Sequence, residues 1–367
     1  MSLSPSQAQR DAAALVAADA LLHAHESDQA NDMERAGTFP EAALTTIAQA
    51  GLLGMAIDQD YGGSELSHLA QAQVFATLTE ADVTPAFIAS QHHASTTLVQ
   101  VAQHEALRDR WLPGLAAGTL RGANGFNFLN FPPDRAPMKA IPVAGGFHLT
   151  GALPWVTAAH HSDLLVAGAV LPDAQQLLVA IPLRTALALS TPTITVDVPM
   201  ELLALAASDT TVVRCTDYFV PAEDVVLGPG LNLLKSAERH SATFVPTAMT
   251  LGHTRHCLRL IEAVATHKGG TAQEMTVWLL KEITRLDGDI TAALSVNDFD
   301  AMPRLRGRGN ALVARAAHLA LIVGGGTGYR QDQLAQRLYR EAGFFSVWSV
   351  SGAIIPETLK HLIDQPL

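Results

Sequence analysis

Apolar positions recur at helical spacing through the first third of the chain. Ala13, Val16, Leu21 and Leu22 form one set, and Leu66, Leu69, Val74, Phe75 and Leu78 form another. Pro40, preceded by Phe39, stands where a first helical residue is expected, and Gly51 follows Ala43–Ala50 as a C-terminal cap would. Asp60-Tyr61-Gly62-Gly63 has turn chemistry. These signals predict a helical block from about Ser4 to Gly118. From about Arg121 to Gly228 the period changes. Short apolar runs appear at Leu164–Val170, Leu177–Ile181, Thr193–Val198 and Thr211–Arg214, and Gly145-Gly146 separates two candidate strands as a hairpin would. This stretch reads as a β barrel or sandwich. From Asn232 the helical period returns, with helices predicted over Ser236–Ala265, Ala272–Ala293, Pro303–Ile322 and Gln333–Phe345. The pattern therefore predicts an α+β multidomain chain: helices over 1–120, a β domain over 121–229 and a helical bundle over 230–367.

Composition narrows the class. The chain of 367 residues is 48% hydrophobic and 16% charged, which suits a packed core and excludes disorder. A net charge of −11 argues against nucleic acid as the partner, because phosphate binding needs a basic face. The mean hydropathy of +0.19 is high. No uninterrupted apolar run reaches the roughly 18 residues of a membrane span, so a ligand pocket or an oligomer interface is expected to use the surplus apolar surface. Met1–Ala20 lacks a basic segment followed by an apolar core, so a cytoplasmic location is expected. The two cysteines, Cys215 and Cys257, lie among apolar residues in a predicted strand and helix, and read as buried thiols.

Several suggestive motifs lack the context their chemistry needs. Gly324-Gly325-Gly326-Thr327-Gly328 lacks the spacing of a dinucleotide loop and follows a helix, and no Walker Gly-Lys-Ser/Thr is present. His253 and His256 share a helix face, and His92-His93 and His160-His161 are adjacent pairs. None belongs to an HExxH set, so no metal site is expected. There is no GxSxG elbow.

An ordered set of segments resembles the acyl-CoA dehydrogenase family. Phe39-Pro40, Gly51-Leu52-Leu53-Gly54 and Asp60-Tyr61-Gly62-Gly63 are similar to its start. Arg110-Trp111-Leu112-Pro113-Gly114-Leu115-Ala116-Ala117-Gly118 resembles "YLPxLAxG". Gly146–Gly151 with Trp155-Val156-Thr157 resembles "GYxLNGxKxWIT", and Pro221–Gly228 resembles "VPxxxVLG". Gly325-Gly326-Thr327-Gly328-Tyr329 with Leu338-Tyr339-Arg340-Glu341-Ala342 resembles "GGxGY…xLxRDA". The resemblance implies a helical domain, a β barrel and a four-helix bundle, with FAD held between the last two in homodimers or dimers of dimers. It implies that Trp155 and Thr157 lie along the flavin ring. It also implies that Gly325, Gly326 and Gly328 approach the adenine end from a neighbouring subunit.

The chain departs from the family where chemistry is expected. The family's proton-abstracting Glu aligns with Ser349. The alternative helix position falls near Ala242 or Thr243, with Glu238 one turn earlier as a candidate. Asn127 falls near the Thr of "TEPxAGSD", Lys268 stands in the segment that carries a pyrophosphate-binding Arg, and Ile322 replaces the Gln before the Gly-Gly turn. A neutral hydroxyl lacks a carboxylate's proton affinity, so altered chemistry is expected. Three readings remain open. One is an FAD-dependent oxidoreductase with altered chemistry; here Pro154-Trp155 is similar to the "WPF" of the fold's flavin monooxygenases, and Ser349 and His361 are positional candidates. The second is a dehydrogenase acting on an acyl-CoA through a relocated base. The third is a non-catalytic member of the fold.

Overall fold

The computed structural model describes residues 6–24, 27–189, 193–237, 244–268, 270–350 and 352–363. Six helices come first: α1 (Gln7–Ala24), α2 (Ser27–Ala36), α3 (Glu41–Gln49), α4 (His68–Ala81), α5 (Val83–Gln100) and α6 (Glu105–Ala116). The strands follow: β1 (Gly122–Gly125), β2 (Met138–Val143), β3 (Gly146–Val156), β4 (Leu164–Val170), β5 (Gln176–Pro182), β6 (Ile194–Val196), β7 (Thr211–Pro221) and β8 (Val225–Gly230), with a short α7 (Leu183–Leu187) after β5. The chain then returns to helix with α8 (Leu233–Ala237), α9 (Phe244–Lys268), α10 (Thr271–Ser295), α11 (Met302–Gly328), α12 (Leu334–Phe345) and α13 (Ile354–Ile363).

The strands form one sheet in the order β6-β7-β3-β2-β4-β5-β8, with β1 added parallel to β4. Every residue of β4 is buried, as a continuous apolar run predicts for a strand covered on both faces. The expected hairpin is present: β2 and β3 pair antiparallel and close at Val143 and Gly146.

Two hydrophobic cores hold the molecule, and they do not follow the three sequence blocks. The first joins α1, α3, α4 and the start of α5 to α9–α12. The second fills the sheet and takes in α6 and the end of α5. α5 thus enters both. Its His92 accepts the Gly122 backbone N–H at 3.1 Å, and its Ser95 hydroxyl donates to the Ala123 carbonyl at 2.8 Å. Arg110 of α6 pairs with Asp224 at the far end of the sheet.

Several sequence expectations need correction. Val16 is 72% exposed; α1 buries Ala14 and Ala18 instead, because small residues let it lie close against α4. Pro40 caps α3 from outside the helix. α9 is described over Phe244–Lys268, with residues 238–243 of the predicted helix outside the described residues, and α11 runs on through the glycine-rich stretch to Gly328, broken only at Gly325. A Cβ on Gly324 or Gly328 would lie 3.1 Å from that of Ala335, so the close approach of α12 selects glycine there. The stretch Phe299–Gly328 is long and apolar enough to cross a membrane by length and composition alone. Its buried face nevertheless packs in the first core, and Arg306 lies fully buried within it. Both cysteines are buried, and burial raises both thiol pKa values, that of Cys215 to about 12.

Candidate active site

At one end of the sheet β3 leaves its regular register against β7 between Leu153 and Val156. Trp155 there has φ +63° and Ala158 φ +56°. A left-handed tryptophan costs about 1–3 kcal/mol and persists only where its surroundings over-determine it. The turn swings the Trp155 indole outward, 61% exposed, and carries Thr157 inward to 2%. The Thr157 hydroxyl lies 3.0 Å from that of Thr210, which lies 2.8 Å from the Ser208 hydroxyl. His160 pins the same loop: its backbone N–H donates to Asp209 at 2.8 Å and its Nδ1 lies 2.8 Å from the other carboxylate oxygen.

The β6–β7 connection, which carries Ser208 and Thr210, also meets α12. Arg340 donates to the Leu203 carbonyl and pairs with Glu34 at 3.4 Å. One position further, Glu341 points into a closed ionic cluster. Arg337 lies 3.4 Å from it, His253 3.8 Å from it, and Asp82 lies 4.0 Å from Arg337. Burial pushes the Glu341 carboxyl up to about 8 and holds His253 down at about 4. Glu341 is 1% exposed, so this acid is sealed from any substrate.

Beyond α12 an aromatic nest forms. Trp348 stacks on Phe344 with centroids 5.0 Å apart, and Phe87 of α5 meets both edge-on at 5.2 and 4.8 Å. Arg306 of α11 lies over Trp348 and donates to the carbonyls of Phe345 and Trp348, each at 3.1 Å. Burial lowers its guanidinium to about 9. Ser349 follows directly, exposed, with φ +50°. Phe87, Phe344, Trp348 and Arg306 were missed in the sequence. No local signal marks them: Arg306 stands between Arg304 and Arg308, and the sequence does not tell the buried arginine from its neighbours.

Residues 7–119 match the family model for the acyl-CoA dehydrogenase N-terminal domain. The chain superposes on a glutaryl-coenzyme A dehydrogenase, solved with glutaryl-CoA, with a TM-score of 0.84 at 18% identity, covering 99% of this chain and 97% of that one. The chain has the acyl-CoA dehydrogenase fold. Among curated relatives, the probable acyl-CoA dehydrogenase FadE10 of Mycobacterium tuberculosis is 25% identical over 240 residues, which cover 62% of this chain and 36% of that relative. The isobutylamine N-hydroxylase of Streptomyces viridifaciens is 28% identical over 214 residues, covering 53% of each. Fold neighbours of this acyl-CoA dehydrogenase-like chain thus include dehydrogenases and a dibenzothiophene monooxygenase.

The acyl-CoA dehydrogenase-like chain places its expected site residues unevenly. Trp155 and Thr157 share one turn, and the β6–β7 connection whose Thr210 meets Thr157 reaches through Leu203 to α12, the helix that leads to Ser349. Asn127 opens a 3-10 turn, Asn127–Asn130, with its side chain exposed. Gly325 and Gly326 are exposed with open space above them, Gly328 is buried, and Ile322 is 55% exposed. No hydrogen bond, ion pair or ring contact joins Asn127 or these glycines to Trp155 among the described residues. Lys268 ends α9, with its side chain outside the described residues, and Glu238, Ala242 and Thr243 lie outside them altogether. His361 is removed from this region: it borders a cleft beside α13. No group of three or more His, Cys, Asp or Glu suited to a metal is found among the described residues.

Proposed function

We propose that this chain is an FAD-dependent oxidoreductase whose reaction does not begin with carboxylate-driven removal of an α-proton. The observation that carries the reading is Ser349, an exposed serine at the position where the resemblance places a Glu, with the nearby Glu341 sealed in the interior. A general base must reach the proton it takes, and a neutral hydroxyl needs a partner to act as one. The Ser349 hydroxyl has no hydrogen-bond partner among the described residues.

The residues present fit a flavin. Trp155 offers an uncovered indole at the sheet's end, and the Thr157–Thr210–Ser208 hydroxyl chain behind it retains donor and acceptor capacity, since each hydroxyl can donate once and accept twice. Gly325 and Gly326 leave room for a close backbone approach. Bound FAD would supply the electron-accepting centre. In this reading Trp155 covers one face of the flavin, the buried Thr157 hydroxyl holds the turn that presents Trp155, and the Phe87–Phe344–Trp348 nest walls the substrate side and excludes water. Arg306 holds that wall in place. A homo-oligomer completes the glycine-lined part of the site.

A second reading, oxygen insertion with reduced flavin, is favoured by the likeness to the isobutylamine N-hydroxylase over half the chain. That chemistry needs no α-proton base.

The test is a visible spectrum before and after addition of FAD and desalting, followed by anaerobic addition of acyl-CoA. Retained flavin that acyl-CoA does not bleach is the expected result. Rapid bleaching would return the chain to ordinary dehydrogenation, and a colourless protein would remove every redox reading. Trp155→Ala should weaken FAD retention by about fivefold, the worth of one aromatic contact, with the melting temperature of the flavin-free protein unchanged. A variant that retains FAD as the wild type does would displace Trp155 from the site.

A further inference from the structure

A cleft of about 360 Å³ lies between α10, α11 and α13, apart from the aromatic nest and from Trp155. Its walls are strongly basic. Arg304, Arg308 and Arg315 follow one face of α11 at helical spacing, Arg285 faces them from α10 and Lys360 from α13. Glu282 and Glu357 in the wall, with Asp289 beside Arg308, oppose these five cations, which leaves a local excess of two positive charges in a chain of net −11. His361, also in the wall, is held toward its neutral form by burial.

The internal pairing is incomplete. Arg285 is 2.8 Å from Glu282, Arg308 pairs with Asp289 at 2.5 Å and with Glu282 at 3.7 Å, and Arg315 donates to the His361 carbonyl at 2.8 Å. Arg304 and Lys360 are exposed and form no ion pair among the described residues. Like charges at four-residue spacing on a helix repel, as Arg304 and Arg308 must, and an anion between the helices would relieve that repulsion. The apolar end of the cleft is formed by Ala311, Leu312 and the half-buried Trp278, an indole within the same cavity as the cations. Such a volume suits a small molecule.

We propose that this cleft binds a nucleoside diphosphate, its paired phosphates held by Arg304, Arg308 and Lys360 and its base resting against Trp278. Guanidinium groups match phosphate oxygens in pairs, and an aromatic ring beside them selects a planar partner over a bare phosphate. The site is independent of the flavin reading.

The experiment uses the full chain loaded with FAD and then desalted, so that the flavin site is filled and no free FAD competes for the cleft. ADP binding is followed by calorimetry and by tryptophan fluorescence, with inorganic pyrophosphate and adenosine as comparators. ADP should bind with pyrophosphate competing, and adenosine should bind at least tenfold more weakly. The double charge reversal R304E/K360E, at two exposed and unpaired positions, should weaken ADP at least tenfold with an unchanged melting temperature and unchanged FAD retention. Trp278→Phe should remove the fluorescence response and keep the pyrophosphate affinity. Failure of both ADP and pyrophosphate to bind overturns the proposal, as does wild-type ADP affinity in R304E/K360E. A fall in oligomeric mass caused by R304E/K360E without loss of ADP binding would assign the face to a second copy of the chain instead.

Discussion

Acid should unfold this protein through buried histidines, and one of them lets the effect be isolated. His93 is 2% exposed, lies edge-on to Phe75 at 5.3 Å, and has no hydrogen-bond partner for Nδ1 among the described residues. Burial, with His92 beside it, lowers its pKa from 6.5 to about 3. The folded state therefore keeps His93 neutral at a pH where the unfolded chain takes up a proton. Its contribution is complete above pH 6.5 and is lost as the pH falls from there toward 3. At pH 5 the gap to the unfolded value is about 1.5 units, or about 2 kcal/mol at 1.36 kcal/mol per unit. His92 and His253, each held near 4, act in the same direction. Glu341 acts against them. Its carboxyl, raised to about 8, favours the folded state more as the pH drops through that value toward 4.5. The wild-type slope mixes these terms, so the comparison is with His93→Leu, which keeps an apolar group of similar reach. Urea unfolding at pH 7 and pH 5 should show the variant losing about 2 kcal/mol less than the wild type over that interval. Parallel losses would refute the reasoning, since they would mean that His93 has the same pKa folded and unfolded.

Three further outcomes follow from particular contacts. Ser349→Glu, in flavin-loaded protein, should accelerate anaerobic bleaching by acyl-CoA by about 10²–10⁴, the range of a well-placed base; no acceleration would mean that position 349 does not face the substrate. Arg306→Met should cost about 2 kcal/mol, the net worth of charged hydrogen bonds to two carbonyls after relief of burial, and should shift the Trp348 emission to the red; unchanged emission would separate Arg306 from the nest. Gly252→Ala should cost about 1–3 kcal/mol in urea unfolding, because a Cβ there would lie 2.0 Å from the Ala76 carbonyl oxygen where α9 crosses α4; wild-type stability would show that the two helices can part freely.

The sequence disclosed the order of helices and strands because each block has its own apolar period. It disclosed less about which faces meet. Val16 fits a helical stripe as well as Ala14 does, and only the partner helix decides between them. The fully buried β4 and the hairpin at Gly145-Gly146 were legible because both are local. The aromatic nest was not, since Phe87 and Trp348 are far apart in sequence and neither carries a local signal. Ser349 was legible only by counting from Arg340-Glu341-Ala342, and the count could not say that the residue is exposed and left-handed. Trp155 and Thr157 were named from a short segment; the register break that turns one outward and the other inward appears only once β3 meets β7. The charge of the basic cleft was hidden by the overall acidity of the chain, because its cations come from three helices separated in sequence.

The first core has a consequence for how the molecule is made. Leu44, Val74 and Phe75 precede the sheet in sequence, yet the core they share is completed by residues such as Leu251, Leu312 and Leu338, which are synthesised only after the entire sheet. α1, α3 and α4 must wait, with an apolar face uncovered, until the sheet and α9 have been made. A chain released before α9 should present that face to chaperones or proteases, while the sheet, which closes largely on its own neighbours, can settle earlier. Removal of α9–α12 should therefore be felt first at α1, α3 and α4, on the other side of the sheet in sequence.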